Sequence, residues 1–318
     1  MLAVCPNPTI DRLVILDELF PGGVLRAREN RAYPAGKSVS AARGCRANGA
    51  APQLHVLLPV GGAAWYLDRL RAEGLAAAVH ACPGEVRESI IVLEDSGRVS
   101  VLNGAGALAS AEVWEDFVAA CCASIRPGDW VICSGSLPPG VGTAALTALV
   151  GAVATAGGRL ALDTGPAWMP AALAGSHRPS LISPNLAEAE AILTGVAAFE
   201  ATTVDADALA RAEAAAAGLH RLGVPHVVVT AGSAGLAWAG DDGSGALIGQ
   251  PVDVRNPIGA GDAFLGGLVA RLEQGLAFAD AAAWGMATSC AAIEQWSPGG
   301  ADPARVEHFH ALIRGSRA

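Results

Sequence analysis

Short apolar runs punctuate this chain at residues 54–60, 130–133, 159–163, 181–183 and 226–230. Nearly continuous runs of this kind suit strands buried on both faces of a sheet. Between them lie alanine-rich stretches, 111–124, 144–156, 186–193 and 206–222, long enough for helices of two turns or more. Strands alternating with helices predict an α/β fold: a largely parallel central sheet, helices on both faces, and ligands at the carboxyl ends of the strands. Two segments break the rhythm. Residues 12–33 and 86–102 read as antiparallel strand pairs, and within the second, 89–93 and 98–102 flank the turn tetrapeptide Glu94-Asp95-Ser96-Gly97. Two such inserts predict a small β lid over the ligand site. With no repeat, linker or second core in view, residues 1–318 are expected to form one domain carrying that lid.

Composition then narrows the chemistry. Apolar residues make up 52% and charged ones 16% of the 318 residues, enough for a sizeable core. A formal net charge of −9 argues against a nucleic-acid partner or an anionic membrane surface, both of which need clustered cations. Seven cysteines show no C-x-x-C spacing and read as buried, reduced thiols of a cytoplasmic protein. The N-terminus has no secretory pattern, and the longest apolar stretch, 144–162, is broken by Gly157-Gly158-Arg159, so no membrane span is expected. Of 21 basic residues a single one, Lys37, is lysine. His308 and His310, two apart on an expected helix, cannot share a face and are set aside as metal ligands.

Three segments carry candidate chemistry. Asn256-Pro257-Ile258-Gly259-Ala260-Gly261-Asp262 precedes the apolar run 263–272. Small residues let backbone approach a ligand, and the N–H groups opening a helix can hold developing phosphoryl charge. A carboxylate there can take the proton of an attacking hydroxyl, although a plain Asp cap after a glycine turn has the same spacing. In Pro184-Asn185-Leu186-Ala187-Glu188 an amide and a carboxylate three apart share one helical face, which suits Mg²⁺ or a simple helix start. Thr230-Ala231-Gly232-Ser233-Ala234-Gly235 follows a strand and resembles a segment that lies along ATP phosphates and ribose in a known kinase family, and a plain strand-to-hairpin turn has the same look. No Gly-x-x-x-x-Gly-Lys-Ser/Thr loop occurs, which removes the P-loop kinases.

Taken in order, Asn7-Pro8-Thr9-Ile10-Asp11, Ala35-Gly36-Lys37-Ser38-Val39-Ser40-Ala41-Ala42-Arg43, Ser134-Gly135-Ser136-Leu137-Pro138-Pro139-Gly140 and the 256–262 segment resemble the motifs of the PfkB, ribokinase-like carbohydrate kinases. The likeness is to their phosphofructokinase-like branch (1-phosphofructokinase and tagatose-6-phosphate kinase). Each motif alone is weak; four in family order span nearly the whole chain. The resemblance implies a ribokinase-like three-layer α/β/α sandwich with a small β-sheet lid. It implies ATP-dependent transfer of the γ-phosphoryl group to a hydroxyl of a sugar or sugar phosphate, with Asp262 as general base and the amides of Gly259, Ala260 and Gly261 holding charge. The sugar would meet Asp11, Gly36, Lys37, Ser40, Arg87 and Ser136. ATP would lie along Asn185, Thr230, Gly232 and Gly235, with Glu188 holding Mg²⁺ and a monovalent cation as a further aid. Relatives of this type often dimerise through the lid, so a homodimer is expected. A kinase of another small alcohol such as a nucleoside, or a catalytically weak sugar-binding relative, are the alternatives; intact Gly259, Gly261 and Asp262 weigh against the second.

The departures concern anions. The sugar-contacting Asn of the N-terminal motif is Ser40, a preceding Gly is Ser38, and the Lys of the usual Lys-Pro-Asn triplet is Ser183. The phosphate-holding Lys and Arg positions of the resemblance fall on Val24 and near Ser100, while Arg87 survives. Each lost charged hydrogen bond removes roughly 1.5–3 kcal/mol. Poor activity on fructose 6-phosphate is therefore expected. The acceptor would be a neutral polyol, or a phosphosugar whose phosphate reaches Arg87 and Lys37; Arg26, Arg28 and Arg31 also lie on the first insert.

Overall fold

The computed structural model describes residues 1–196 and 205–315. Nine strands form the main sheet, in the order β5 (Ala77–Glu85), β4 (Gln53–Gly61), β1 (Leu2–Cys5), β8 (Trp130–Ser134), β9 (Arg159–Asp163), β10 (Leu181–Ile182), β11 (His226–Thr230), β12 (Gly235–Gly240) and β13 (Gly243–Ile248). Every pairing from β5 to β11 is parallel, and the β11–β12–β13 end is antiparallel. The parallel strands are the continuous apolar runs of the sequence, because helices bury both of their faces.

One face carries α3 (Ala111–Ala123), α4 (Thr143–Thr155), α5 (Met169–Ala172), α6 (Leu186–Thr194) and α7 (Ala208–His220). The other carries α1 (Lys37–Ala47), α2 (Ala63–Ala72), α8 (Ala260–Glu273), α9 (Phe278–Ile293) and α10 (Pro303–Gly315). This is the three-layer α/β/α arrangement. Among the described residues no helix is long and apolar enough to cross a membrane.

A second sheet, ordered β3 (Glu29–Ala35), β2 (Thr9–Leu16), β6 (Arg87–Glu94) and β7 (Val99–Asn103), stands apart from the first. Its two hairpins meet along a parallel β2–β6 pairing, and Leu13, Ile15, Ile91 and Leu93 form its own small core. Gly97 closes the second hairpin at φ 81, its N–H donating to the Glu94 carbonyl at 2.9 Å. In the first hairpin, residues 17–28 are a loop, and Val24 sits in it 98% exposed.

One contact sets the geometry of the site. Helices α1 and α8 cross where a Cβ on Gly266 would lie 2.0 Å from the Ala41 carbonyl oxygen, and one on Gly44 2.6 Å from that of Ala263. Glycine at both crossing points lets the backbones touch, which brings the N-termini of the two helices to the same place.

Candidate active site

Five neighbouring strands end at one cleft of about 1000 Å³. The chain leaving β1 contributes Asn7, that leaving β8 Ser134–Ser136, that leaving β9 Asp163, that leaving β10 Ser183 and Asn185, and that leaving β11 Thr230. The opposite wall comes from the small sheet through Thr9, Asp11, Arg87, Ser89 and Asn103. Ligand sites at strand carboxyl ends are the rule for open parallel sheets.

The floor is the start of α8. Gly259 adopts φ 84, and a Cβ there would lie 2.7 Å from the Gly299 nitrogen, so glycine is required. The Ala260 N–H donates to the Pro257 carbonyl at 3.3 Å. Of the three amides expected to hold phosphoryl charge, that one is satisfied inside its own turn. The next amides, of Gly261 and Asp262, fall in the first helical turn, where no intrahelical carbonyl accepts from them. A Cβ on Gly261 would meet nothing within 4 Å, so that face opens into the cleft.

Asp262 is 7% exposed, and its Oδ1 has no hydrogen-bond partner. Burial pushes its carboxyl up to about 8, against the Lys37 cation and with help from Asp163, Asp11 and Glu188. A plain helix cap would have its carboxylate bonded to first-turn amides; Asp262 makes no such bond. Lys37, at the start of α1, reaches Asp163 Oδ2 at 3.1 Å, and that carboxylate holds its ammonium protonated. The cleft thus gathers Asp11, Asp163, Glu188 and Asp262 against two cations, Lys37 and Arg87.

On the acceptor side, burial raises Asp11 to about 6, opposed by Arg43 and Arg87. Gly36 takes φ 128, where a Cβ would lie 2.7 Å from Cys5 Sγ. Ser136 Oγ accepts from Asn7 Nδ2 at 3.0 Å. Ser40 is turned inward, donating to the Pro298 carbonyl at 3.3 Å, and so braces the loop facing Gly259. Ser38 uses the hydroxyl that its usual Gly lacks: it donates to the Val4 carbonyl at 2.6 Å and accepts from the Ser134 N–H at 2.9 Å, tying the ends of β1 and β8 together. Arg87 is anchored by Nη2 donating to the Asn7 carbonyl at 3.2 Å, while its buried Nε has no partner.

Two expectations about the lost cations change. Val24 lies in the exposed loop, not in a strand. On β7 the cleft-lining residues are Val101 and Asn103, and strand alternation turns Ser100 to the other face. Two of the three spare arginines are engaged elsewhere: Arg28 pairs with Asp17 and Asp95, and Arg31 pairs with Glu29 and stacks over Trp296, its guanidinium 4.9 Å from the ring centroid.

On the nucleotide side, Asn185 and Glu188 form a reciprocal capping box: Asn185 Oδ1 accepts from the Glu188 N–H at 2.9 Å and Glu188 Oε2 from the Asn185 N–H at 3.0 Å. The plain helix-start reading of that motif therefore holds, with Glu188 still at the cleft wall. Thr230 bridges to Asn185 across the ends of β10 and β11. Gly235, at φ 120, approaches Leu247 so closely that a Cβ would lie 1.9 Å from its carbonyl oxygen. Gly232 lies at φ 56, and Leu236, Val252, Val254, Met286 and Ile293 give this end an apolar wall suited to a base.

Sequence reasoning did not single out Asp163 or Asn103. Asp163 left a trace, a charged residue closing an otherwise apolar strand, but such endings are common. Asn103 accepts from Ser89 Oγ at 2.7 Å, and only the strand register shows that it faces the cleft.

Residues 7–305 match the family described as pfkB family carbohydrate kinase. The chain is 27% identical over 305 residues to a 1-phosphofructokinase of Haemophilus influenzae, covering 95% of this chain and 93% of that one. It is 29% identical to one of Rhodobacter capsulatus, covering 92% and 90%. The fold is similar to that of Escherichia coli phosphofructokinase-2 in complex with substrates and products, with TM-score 0.86, 22% identity and 98% of both chains covered.

Proposed function

The chain belongs to the pfkB family of carbohydrate kinases and uses ATP, and on that footing we propose that its acceptor is a sugar phosphate, fructose 1-phosphate first, phosphorylated with Asp262 as general base. The observation that carries the base assignment is the buried Asp262 carboxylate, with an unpartnered oxygen, at the mouth of α8 beside Lys37. The acceptor hydroxyl gives its proton to Asp262 as its oxygen bonds to the γ-phosphorus; the bond from that phosphorus to the β–γ bridging oxygen breaks and ADP leaves. The first-turn amides of Gly261 and Asp262 and the Lys37 ammonium lie where the phosphoryl charge grows. Asp11, on the opposite wall, accepts from acceptor hydroxyls.

Four carboxylates against two cations also suit a divalent ion carried with the nucleotide. Glu188 on the cleft wall would help hold such a Mg²⁺ ion, which when bound would supply positive charge against the phosphates. For the acceptor phosphate, Arg87 is the desolvated guanidinium on the small-sheet wall, with an unpartnered Nε. Relatives named 1-phosphofructokinase across some nine-tenths of the chain favour a phosphate-bearing acceptor over a neutral polyol. Arg87→Ala should then raise KM for fructose 1-phosphate about 10-fold or more with little change in kcat, the size of one charged hydrogen bond. Steady-state kinetics that leave KM unmoved would remove Arg87 from the phosphate site.

Asp262 also fixes a pH dependence. It works as a base only when ionised, so kcat/KM of wild type should rise with pH and level off above about 8. Lys37→Met removes the cation that opposes the shift and should move that limb to higher pH. A profile flat between about pH 6 and 9 would contradict the base assignment.

We further propose that the four-stranded sheet acts as a lid and is shared with a second copy. Ile90 and Leu102, cross-strand partners on its outer face, are 40% and 57% exposed, and an uncovered apolar sheet face is a liability that pairing removes. Sedimentation should show a dimer that Leu102→Asp converts to monomer; an active wild-type monomer at micromolar concentration would contradict it. All seven cysteines are unpaired and six are buried, which suits a reducing, cytoplasmic setting.

A further inference from the structure

Away from the cleft, at the β5 edge of the main sheet, three soft metal-binding side chains converge. His55 on β4 and His80 on β5 project from the same face, since His80 is registered with Leu57, two residues beyond His55. Helix α3 covers that face with Phe117 and, four residues on, Cys121. Each of the three can offer one ligand atom, and these atoms all lie within 4.8 Å of one another. His55 Nδ1 and His80 Nε2 are 3.1 Å apart. Donors bound to one ion at about 2.0–2.3 Å lie roughly 3–4 Å from each other, so the group is close to ligating geometry already.

Two ordinary explanations account for only part of this. The imidazoles stack at 5.3 Å and share one N···N hydrogen bond, which satisfies one nitrogen of each ring. That leaves His55 Nε2, in a residue 2% exposed, without any partner, whichever tautomer the ring adopts. A buried ring nitrogen with no partner is costly in a purely structural role.

We propose that His55, His80 and Cys121 form a binding site for one soft d¹⁰ ion, Cu(I). Charge decides the ion. Each histidine coordinates through a neutral imidazole nitrogen and brings no charge to the ion. Cys121 binds as thiolate, its proton leaving to solvent as the S–Cu bond forms, with no change of oxidation state. Thiolate and Cu(I) sum to zero in a pocket walled by Leu57, Trp114 and Phe117. Zn(II) would leave a net positive charge there and prefers a fourth ligand, which no His, Cys, Asp or Glu among the described residues supplies. His80, half-buried on the edge strand, is the way in. Bound metal would clamp β5 and α3 together, and none of the three residues lines the cleft.

The test is competition for Cu(I) between the intact purified protein and bicinchoninate under reducing, anaerobic conditions, with Zn(II) in excess. Wild type should retain one Cu(I) per chain and gain thermal stability. Cys121→Ala and His80→Gln should each lose that ion and that gain while keeping wild-type kinase turnover and circular dichroism. Wild type that yields all its copper to the chelator, or prefers Zn(II), or variants that both keep the ion, would overturn the proposal.

Discussion

Asp262→Asn should fold as wild type, still bind ATP, and lose kcat by about 10²–10⁴-fold, the range for removing a positioned general base. Asn has the shape of Asp and can donate or accept hydrogen bonds, but it cannot take a proton from the acceptor hydroxyl. The substitution also gives a readout that an architectural role would not. Burial raises the carboxyl from the usual range near 4 to about 8, so between those values the folded state holds a proton that the unfolded chain has released. Stability of wild type therefore falls as pH rises through that window, and the Asn variant escapes that loss. Melting temperatures should diverge in favour of Asp262→Asn as pH approaches about 8. A variant that turns over at the wild-type rate would remove Asp262 from the base role.

Two glycines of the same helix should fail for opposite reasons. Gly261 faces open cleft, so Gly261→Ala should fold normally yet place a methyl group where the transferring phosphoryl must approach the helix start. Its kcat should fall about 10²-fold or more, the size seen when one transition-state contact is lost. Gly266→Ala instead drives a methyl group to 2.0 Å from the Ala41 carbonyl and must wedge α8 off α1. Overpacking of that kind costs about 1–3 kcal/mol. The wedge also separates the helix starts that carry Lys37 and Asp262, and a displacement on the order of 1 Å can cost about 10²-fold in rate. Thermal melts and kinetics on both variants separate the cases. Equal melting temperatures for Gly266→Ala and wild type would mean the helix crossing is softer than its packing implies.

Why some features were legible in the sequence and others were not follows from the range of the forces involved. Strands such as Arg159–Asp163 and His226–Thr230 stand at their expected bounds, because an uninterrupted apolar run has few other ways to be buried. Helix starts carried local chemistry too, as in the Asn185–Glu188 capping box. The 256–262 segment pointed to the cleft, but spacing could not say whether Asp262 was bonded as a cap; only burial and its partnerless oxygen separate the two. On the acceptor wall, only the facing of β7 turns on register. Whether Ser100 or Asn103 faces the cleft depends on strand alternation relative to β6, and a one-residue error reverses it. Val24 lies in the first loop, whose length no local pattern in residues 17–28 signals. Asp163 and the inward turn of Ser40 arise from contacts between segments more than a hundred residues apart, which no local pattern encodes.

The most direct test of sugar phosphate phosphorylation by Asp262 is acceptor-dependent ADP formation by wild type and Asp262→Asn, with ³¹P NMR of the product. The panel would hold fructose 1-phosphate, fructose 6-phosphate, tagatose 6-phosphate, fructose and a nucleoside. Expected is one ADP per sugar bisphosphate formed, fastest with fructose 1-phosphate, weak with fructose 6-phosphate and lost in the variant. ADP formation that ignores the acceptor, prefers the nucleoside, or survives in Asp262→Asn would contradict it.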